Sequence, residues 1–374
     1  MKKNISRIVP LFMELLLSAL WKRKANSSLF EQVYADLWWD ILKYAKFQKV
    51  VALVYDGIQT LPEILKPSQE LLIFLAVHTE IIEKRNEKLN ETLVELTRIY
   101  KEMDCSFLLL KGQGIALYYP NPLHRTPGDQ DLFLYKENDY LKAKQWVERL
   151  GVKMEIESPK HLGFDWQNIH VENHAKVAQL NNSVKNRSFQ QYITTAVEQA
   201  ETCKLGNIDI RVLPPEANAI FLFAHLFIHF MKNGIGIRQL CDWILFLQAN
   251  RHKIEAASCI IHLKSFGLLK PARIFAKALV DKMEAPEEIF PFFIENEKKM
   301  SEKIMNDIWE GGDFGLYRIG LSARPHGKWG GYWHSFSRQS NRACILWRIA
   351  PNYFFNSVLK RVWLRSVLTI TGKG

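Results

Sequence analysis

Residues 107–135 contain two apolar runs of strand length, separated by a glycine turn and a polar loop. The first run ends in FLLLKGQG at 107–114, and the second closes the segment in RTPGDQDLFL at 125–134. Short apolar runs bounded by Gly, Pro and Asn are typical of buried strands. The segment is therefore predicted to form a strand, a glycine turn, a short helix over 115–119, a loop, and a second strand that opens with two acids.

Asp129 and Asp131 are those two acids, with one residue between them. Side chains at i and i+2 point to the same face of a strand, roughly 6–7 Å apart along it, whereas Gln130 points to the other face. Two carboxylates this close repel each other and raise each other's pKa unless a cation lies between them. Mg²⁺ takes oxygen ligands, and paired ions lie about 3.5–4 Å apart in two-metal sites. The pair therefore predicts a site for divalent cations.

The glycine turn at 112–114 supplies the complementary half of such a site. Backbone N–H groups can approach an anion closely where no Cβ atom intervenes, and the start of a helix favours negative charge. A phosphate compound with a bound metal ion needs both features. The acids would hold the cation, and the turn would bind the phosphate.

Three short motifs carry a resemblance to a known family: LKG at 110–112, RTPGDQDL at 125–132 and VENH at 171–174. Together they resemble the nucleotidyltransferase superfamily of the DNA polymerase beta type, and more narrowly the uncharacterised bacterial nucleotidyltransferase family proteins. The likeness is sharp over 105–135 and looser over about 30–250. The alternative is a structural α+β domain in which the acids are solvated strand-end residues.

This resemblance implies transfer of a nucleoside monophosphate from an NTP to an acceptor hydroxyl, with pyrophosphate as the leaving group. It implies that Asp129, Asp131 and Glu172 are catalytic and hold Mg²⁺, with two ions expected. It further implies that Lys111 and Arg125 offset the charge of the triphosphate. The backbone of Gly112, Gln113 and Gly114 would cradle the phosphates.

The third acid, Glu172, lies in the segment over 165–174, in which the alternation of polar residues predicts a strand. His170, Glu172 and His174 alternate along it, so they share one face. Besides completing the cation site, the three residues could be half-buried polar groups of an edge strand. They could also be a zinc site, although a strand spreads them over about 13 Å, too far for one tetrahedral ion.

A second group of polar residues follows the helix start at Pro214-Pro215. His225 and His229 lie one turn apart in an otherwise apolar helix, with Arg238 and Asp242 beyond it. One interpretation is a helical layer that closes over the nucleotide. The other is a pair of core histidines hydrogen-bonded to Asp242.

The composition indicates a globular protein of 374 residues with 48% hydrophobic content. Its five cysteines are scattered without a CxxC motif, which favours a reducing cytosol. Residues 8–20 are apolar but are interrupted by Glu14 and followed by Trp21-Lys22-Arg23-Lys24, so we expect an amphipathic helix rather than a signal peptide. No run approaches the length of a membrane span. A cytoplasmic location, free or peripheral on the inner membrane face, is expected.

The net charge of +11 is concentrated after Asp313, where ten basic residues and no acidic residue follow. Trp329, Trp333, Trp347 and Trp363 are interleaved among them. This pattern suits an interfacial helix on an anionic membrane. A nucleic-acid backbone is a further alternative, as is a terminal helix docked through its aromatic residues.

The expected architecture is α+β: a small mixed-sheet nucleotidyltransferase domain flanked by helical domains. The predicted boundaries are a helical region at 1–103, the catalytic domain at 104–213, a helical domain at 214–312 and a basic, Trp-rich tail at 313–374. The rival to an enzyme is a non-catalytic nucleotide- or metal-binding protein of the same fold. It would act as a sensor, an antitoxin-like partner or an accessory factor at the membrane surface. Neither the acceptor nor the base preference follows from the sequence.

Overall fold

The computed structural model of the protein describes residues 5–158, 161–315, 342–351 and 354–355. At its centre is a mixed sheet of seven strands in the order β3-β4-β5-β2-β1-β7-β6. The pairs β2/β5 and β1/β7 are parallel, and the other neighbouring pairs are antiparallel. The strands are β1 (Leu108–Leu109), β2 (Gln130–Phe133), β3 (Met154–Ser158), β4 (His161–Trp166), β5 (Ile169–His174), β6 (Glu201–Leu205) and β7 (Ile208–Val212).

Helices pack on both faces of the sheet, which confirms the predicted α+β class with helical regions before and after the sheet. Among the described residues none of these helices is long and apolar enough to cross a membrane. The helices are α1 (Ile5–Leu20), α2 (Ala35–Phe47), α3 (Val51–Gln59), α4 (Gln69–Glu102), α5 (Gln113–Ala116), α6 (Glu137–Leu150), α7 (Ser183–Ala196), α8 (Pro215–Lys232), α9 (Ile237–Asn250), α10 (Ala256–Phe266), α11 (Leu269–Met283), α12 (Lys298–Gly311) and α13 (Ala343–Ile349).

One face of the sheet is covered by α4 and α6. Leu93 and Tyr100 of α4 share a buried core with Leu132 and Val171 of the sheet. On this face the Gln130 side chain donates to the Leu89 carbonyl oxygen at 2.5 Å. Gln130 therefore points away from its acidic neighbours, as the strand alternation predicts, and the acids are left on the opposite face.

The helices that precede the sheet in the sequence and the helices that follow it share one buried core. Gln48, which follows α2, donates through Nε2 to the Ile308 carbonyl oxygen at 3.1 Å and accepts from the Ile237 N–H at 3.0 Å. Close approach also occurs within the N-terminal segment, because a Cβ atom on Gly57 of α3 would lie 2.0 Å from the Leu15 carbonyl oxygen of α1. The domain boundaries at 103 and 214 stay predictions. The helices before residue 103 nevertheless pack against the helices after residue 214.

The segment at 165–174 is part of a hairpin, and its strand β5 contains His170, Glu172 and His174. β4 and β5 pair through a turn at Gln167-Asn168, with Trp166 opposite Ile169. Both turn residues have positive φ, 49° and 66°, and Asn is among the residues that tolerate this conformation. The alternating residues lie on one strand as predicted, but the pairing of that strand with β4 was not predicted. The short helix α5 also starts two residues earlier than expected.

Part of the basic tail is docked on the body. The Arg342 guanidinium forms a buried ion pair with Asp307 at 2.8 Å and lies 4.7 Å from the centre of the Phe230 ring. α13 follows directly. The other tail residues on which the membrane prediction depends, among them Trp329, Trp333 and Trp363, lie outside the described residues.

Candidate active site

A cavity of about 610 Å³ lies between the open face of the sheet and the helices α8 and α9. This volume is within the usual range for sites that bind small molecules. Acidic, basic and apolar side chains all contribute to its wall. The predicted residues that line it are Lys111, Gly112, Arg125, Asp129, Asp131, Glu172, His174, His225, His229 and Asp242.

Asp131 and Glu172 lie side by side because β2 and β5 are parallel and place them in register. Asp129 precedes β2 and lines the same cavity. Asp131 is only 2% exposed. Its Oδ1 lies 3.1 Å from Lys111 Nζ and 3.0 Å from His174 Nε2. Its Oδ2 has no hydrogen-bond partner among the described residues. The structure thus brings the three acids together and leaves one buried carboxylate oxygen without a partner.

Two histidines contact Glu172 on the sheet face. Its Oε2 lies 3.3 Å from His161 Nε2 and 3.3 Å from His174 Nε2. Burial opposes ionisation of Glu172, but the hydrogen bonds from both histidines and the charge of Lys111 hold its pKa well below the usual range. For His174, burial favours the neutral ring, but Asp131 and Glu172 raise its pKa to about 9. The three side chains His161, Glu172 and His174 are close enough to share a metal ion.

Asp129 differs from the other two acids in its surroundings. As a residue it is exposed at the cavity mouth. Even so, desolvation of its carboxylate, followed by the negative charges of Glu172 and Asp131, raises its pKa. A bound cation would relieve this repulsion. Asp129 is therefore the most exposed of the three acids.

Of the three residues in the glycine turn, Gly112 lines the cavity. Its φ of +62° is a conformation that favours glycine. Gln113 is buried, and its amide donates to Asn90 Oδ1 at 2.6 Å on α4. Gln113 and Gly114 are not among the described residues that line the cavity. The wall of the cavity therefore carries the first residue of the predicted cradle.

Lys111 and His225 form a pair across the cavity, with Lys111 Nζ 3.2 Å from His225 Nε2. Desolvation, and then the charge of Lys111, hold the pKa of His225 well below its usual value and lower that of His229 to about 4. Both rings are therefore neutral at physiological pH. The predicted hydrogen bonds between these histidines and Asp242 were wrong, because Asp242 accepts from two other residues.

The two residues that donate hydrogen bonds to Asp242 are Arg125 and Tyr119. Arg125 is 4% exposed. It donates through Nε and Nη2 to the two Asp242 oxygens at 2.8 and 2.9 Å. The Tyr119 hydroxyl donates to Asp242 Oδ1 at 2.7 Å. The charge of Arg125 is thus largely compensated by Asp242, although its Nη1 has no hydrogen-bond partner among the described residues.

Several residues of the site were not predicted. Lys49, Lys176 and Lys232 add positive charge to the cavity wall, and His161 contributes the second imidazole beside Glu172. A signal for His161 exists: a two-residue turn at 167–168 pairs position 161 with position 174. The lysines come from separate segments, and no local pattern places them together.

The sequence matches a known protein family. A sequence model described as an uncharacterised nucleotidyltransferase matches residues 35–280, more than half of the chain. The protein therefore belongs to this family of uncharacterised nucleotidyltransferases, as its motifs predict.

Among solved structures, the chain resembles an antigenic nucleotidyltransferase-like protein from Paracoccidioides brasiliensis. The two are 12% identical with a TM-score of 0.34, over 53% of this chain and 93% of that one. No curated protein matches the sequence.

Proposed function

We propose that the protein is a Mg²⁺-dependent nucleotidyltransferase that moves a nucleoside monophosphate from an NTP to an acceptor hydroxyl. The observation that carries the proposal is the register of β2 and β5. It places Asp131 beside Glu172. Asp129 lies at the mouth of the same cavity, whose wall also carries four lysines.

The acids fit a divalent cation. Asp131 keeps a buried oxygen without a hydrogen-bond partner among the described residues, and the pKa of Asp129 is raised by desolvation and by neighbouring acids. We assign Asp129, Asp131 and Glu172 to Mg²⁺. The ions would neutralise phosphate charge and orient the reacting oxygens.

In the proposed reaction the acceptor oxygen forms a bond to the α-phosphorus of the NTP. The bond between that phosphorus and the oxygen bridging to the β-phosphate breaks, and pyrophosphate leaves with the electron pair. The hydroxyl proton passes to a carboxylate within hydrogen-bond reach. We assign this role to Asp129, which is exposed. Two histidines already bond to Glu172, which suits it to holding and orienting the other groups.

Positive charge for the triphosphate is present on two sides of the cavity. Lys111 lies next to Asp131, while Lys176 and Lys232 line other parts of the wall. Phosphoryl and nucleotidyl transfer depend mainly on positioning and on offsetting charge, so these cations suit the leaving pyrophosphate. Gly112 lines the wall beside them and offers backbone donors.

The wall formed by α8 suits the nucleoside. Phe221 and Leu226 supply apolar surface, and His225 and His229 line the same cavity. A neutral imidazole can both donate and accept a hydrogen bond. These side chains can therefore contact a base and a ribose without adding charge.

The test compares pyrophosphate release by the wild type with release by Asp129→Asn, Asp131→Asn and Glu172→Gln. Each NTP is supplied with Mg²⁺ and an extract of cellular acceptors. Loss of one of these acids should lower the rate by about 100-fold or more. Asp165→Asn is the control, because this exposed acid of the same hairpin is not among the described residues of the cavity wall. An Asp131→Asn protein as active as the wild type would contradict the proposal.

A second candidate is a nucleotide- or metal-binding protein without catalysis. It is favoured by one observation: Lys111 and His174 already pair with Asp131 Oδ1. Such a protein would bind an NTP analogue with Mg²⁺ in calorimetry, with the same dependence on Asp131. It would release no pyrophosphate with any NTP.

A further inference from the structure

We propose that His161, Glu172 and His174 form a binding site for a tetrahedral transition-metal ion of the Zn²⁺ class. This inference goes beyond nucleotidyl transfer, although the site shares Glu172 with the Mg²⁺ ligands proposed above. It gives a role to His161, which the nucleotidyltransferase proposal does not use.

The spacing of the donor atoms fits a tetrahedral ion. Glu172 Oε2 lies 3.3 Å from the Nε2 atom of each histidine, and all three donors lie within 4.8 Å of one another. Ligands bound to Zn²⁺ at about 2.0–2.1 Å in a tetrahedron are separated by about 3.3–3.4 Å. Neighbouring ligands of octahedral Mg²⁺ at the same bond length are only about 2.9 Å apart. The two separations between Glu172 and the histidines match the tetrahedral value.

The chemistry of the donors points the same way. Imidazole suits Zn²⁺, Cu²⁺, Fe²⁺ and Ni²⁺, whereas Mg²⁺ prefers oxygen. Asp131 Oδ1 lies 3.0 Å from His174 Nε2 and 3.1 Å from Lys111 Nζ, so Asp131 is a neighbour of the site and not one of its three close donors. Asp131 is 2% exposed, and its Oδ2 lacks a hydrogen-bond partner among the described residues. Two imidazoles and one carboxylate thus converge on one point of the sheet.

The site is built on strands rather than on loops. His161 of β4 pairs with His174 of β5 in the antiparallel ladder, and β5 pairs in parallel with β2, which carries Asp131. Each donor therefore has its position set by main-chain hydrogen bonds. The side chains of His161, Glu172 and His174 are 15%, 22% and 15% exposed, so an ion can enter from the cavity.

This ligand set differs from the one that the sequence suggested. His170, which shares a strand face with Glu172 and His174, donates through Nδ1 to Asp165 Oδ1 at 2.9 Å. It is not a member of the group of close donors. The hairpin replaces it with His161, which removes the objection that one strand spreads the ligands too far. His170 therefore serves as a matched control.

The experiment measures Zn²⁺ binding by the full-length, metal-free protein in competition with a chromophoric chelator. The wild type should bind one equivalent, and His161→Gln combined with His174→Gln should weaken binding by about 100-fold. His170→Gln should bind as the wild type does. Co²⁺ in place of Zn²⁺ should give the intense visible absorption of a tetrahedral site in the wild type and in His170→Gln.

Three results would overturn the inference. They are equal Zn²⁺ affinity in the wild type and the double variant, loss of binding in His170→Gln, and a weak octahedral Co²⁺ spectrum. His161→Gln alone, checked by circular dichroism, covers the case in which the double variant fails to fold; it should weaken binding by about tenfold. A protein that binds Zn²⁺ in this way but releases no pyrophosphate would support the zinc site and contradict only the proposed nucleotidyl transfer. A protein that releases pyrophosphate but does not bind Zn²⁺ would contradict only the zinc site.

Discussion

His124 shows how a single residue can position the catalytic segment. It lies in the loop before Asp129, with Nδ1 2.6 Å from Asp56 Oδ2 and Nε2 2.9 Å from Glu83 Oε1. Burial disfavours its charged form, but hydrogen bonds and charge from both carboxylates raise its pKa overall. The imidazolium therefore ties the loop to α3 and α4.

This pairing predicts a pH-dependent contribution to stability. Because the folded state binds the proton more tightly, the contribution is complete below the ordinary histidine pKa of about 6.5 and is lost as pH rises through the raised pKa. His124→Gln should thus lower the free energy of unfolding by about 1–2 kcal/mol near pH 5.5, allowing for partly exposed carboxylates, and by less near pH 8.5. Thermal melts of both proteins at the two pH values test this. The exposed His252→Gln serves as the control, and a larger deficit at the higher pH would contradict the assignment.

At the residue scale, the sequence predicted the acids better than their partners. Strand alternation alone put Asp129 and Asp131 on one side and Gln130 on the other, and the structure agrees on Gln130. The contacts of Asp131 with Lys111 and His174 depend on how three segments meet in space. No spacing within one segment contains that information.

At the element scale, an ion pair joins the loop before β2 to α9. Arg125 binds Asp242 through two hydrogen bonds, and Tyr119 adds a third. Asn86 of α4 holds the same loop from the other side, donating to the Arg125 carbonyl oxygen at 2.9 Å. The position of Asp129 therefore depends on α4 and α9 together.

Removing one partner of the buried pair should be costly. Asp242→Asn leaves the Arg125 charge buried without its counterion, so the free energy of unfolding should fall by about 3–5 kcal/mol. Adding Arg125→Met should restore part of that loss, because an apolar side chain of similar length needs no counterion. Chemical denaturation of the wild type and the two variants measures both effects. Lys84→Ala, in an exposed pair with Glu80, should leave the transition unchanged. A stable Asp242→Asn protein would contradict this role of the pair.

The elements themselves were predictable where periodicity was strong. The strand over 130–133 and the helix that starts at Pro215 lie where the sequence placed them. The β4–β5 hairpin was missed because its turn is Gln167-Asn168 rather than a glycine turn. The positive φ of both residues is set by strand pairing, which a local pattern does not contain.

At the scale of the whole molecule, the first helices, the last helices and the start of the tail pack as one body. Buried Arg342 attaches α13 to Asp307 and Phe230. A chain cut near residue 313 would therefore remove the buried ion pair between Arg342 and Asp307. Tests of the tail should keep the chain intact and change only its charges.

The proposal that the tail binds an anionic membrane predicts a specific loss. Replacing Lys360, Arg361 and Arg365 by Gln removes three charges, each contributing about 1 kcal/mol near such a surface, so partitioning should fall roughly 100-fold. Sedimentation with vesicles rich in phosphatidylserine measures this. Lys298, Lys299 and Lys303, exposed on α12, provide a control with the same charge change. Equal partitioning of wild type and tail variant would remove the membrane as a partner.

The central claim is that this cleft transfers the α-phosphate of an NTP to an acceptor. The most direct measurement compares acceptor labelling by NTP carrying ³²P at the α or at the γ position, with Mg²⁺ and an extract of cellular acceptors. We predict labelling of a product from the α position only, and its loss in the protein with Asp129→Asn and Asp131→Asn. Labelling from the γ position, or unchanged labelling by that double variant, would contradict the account.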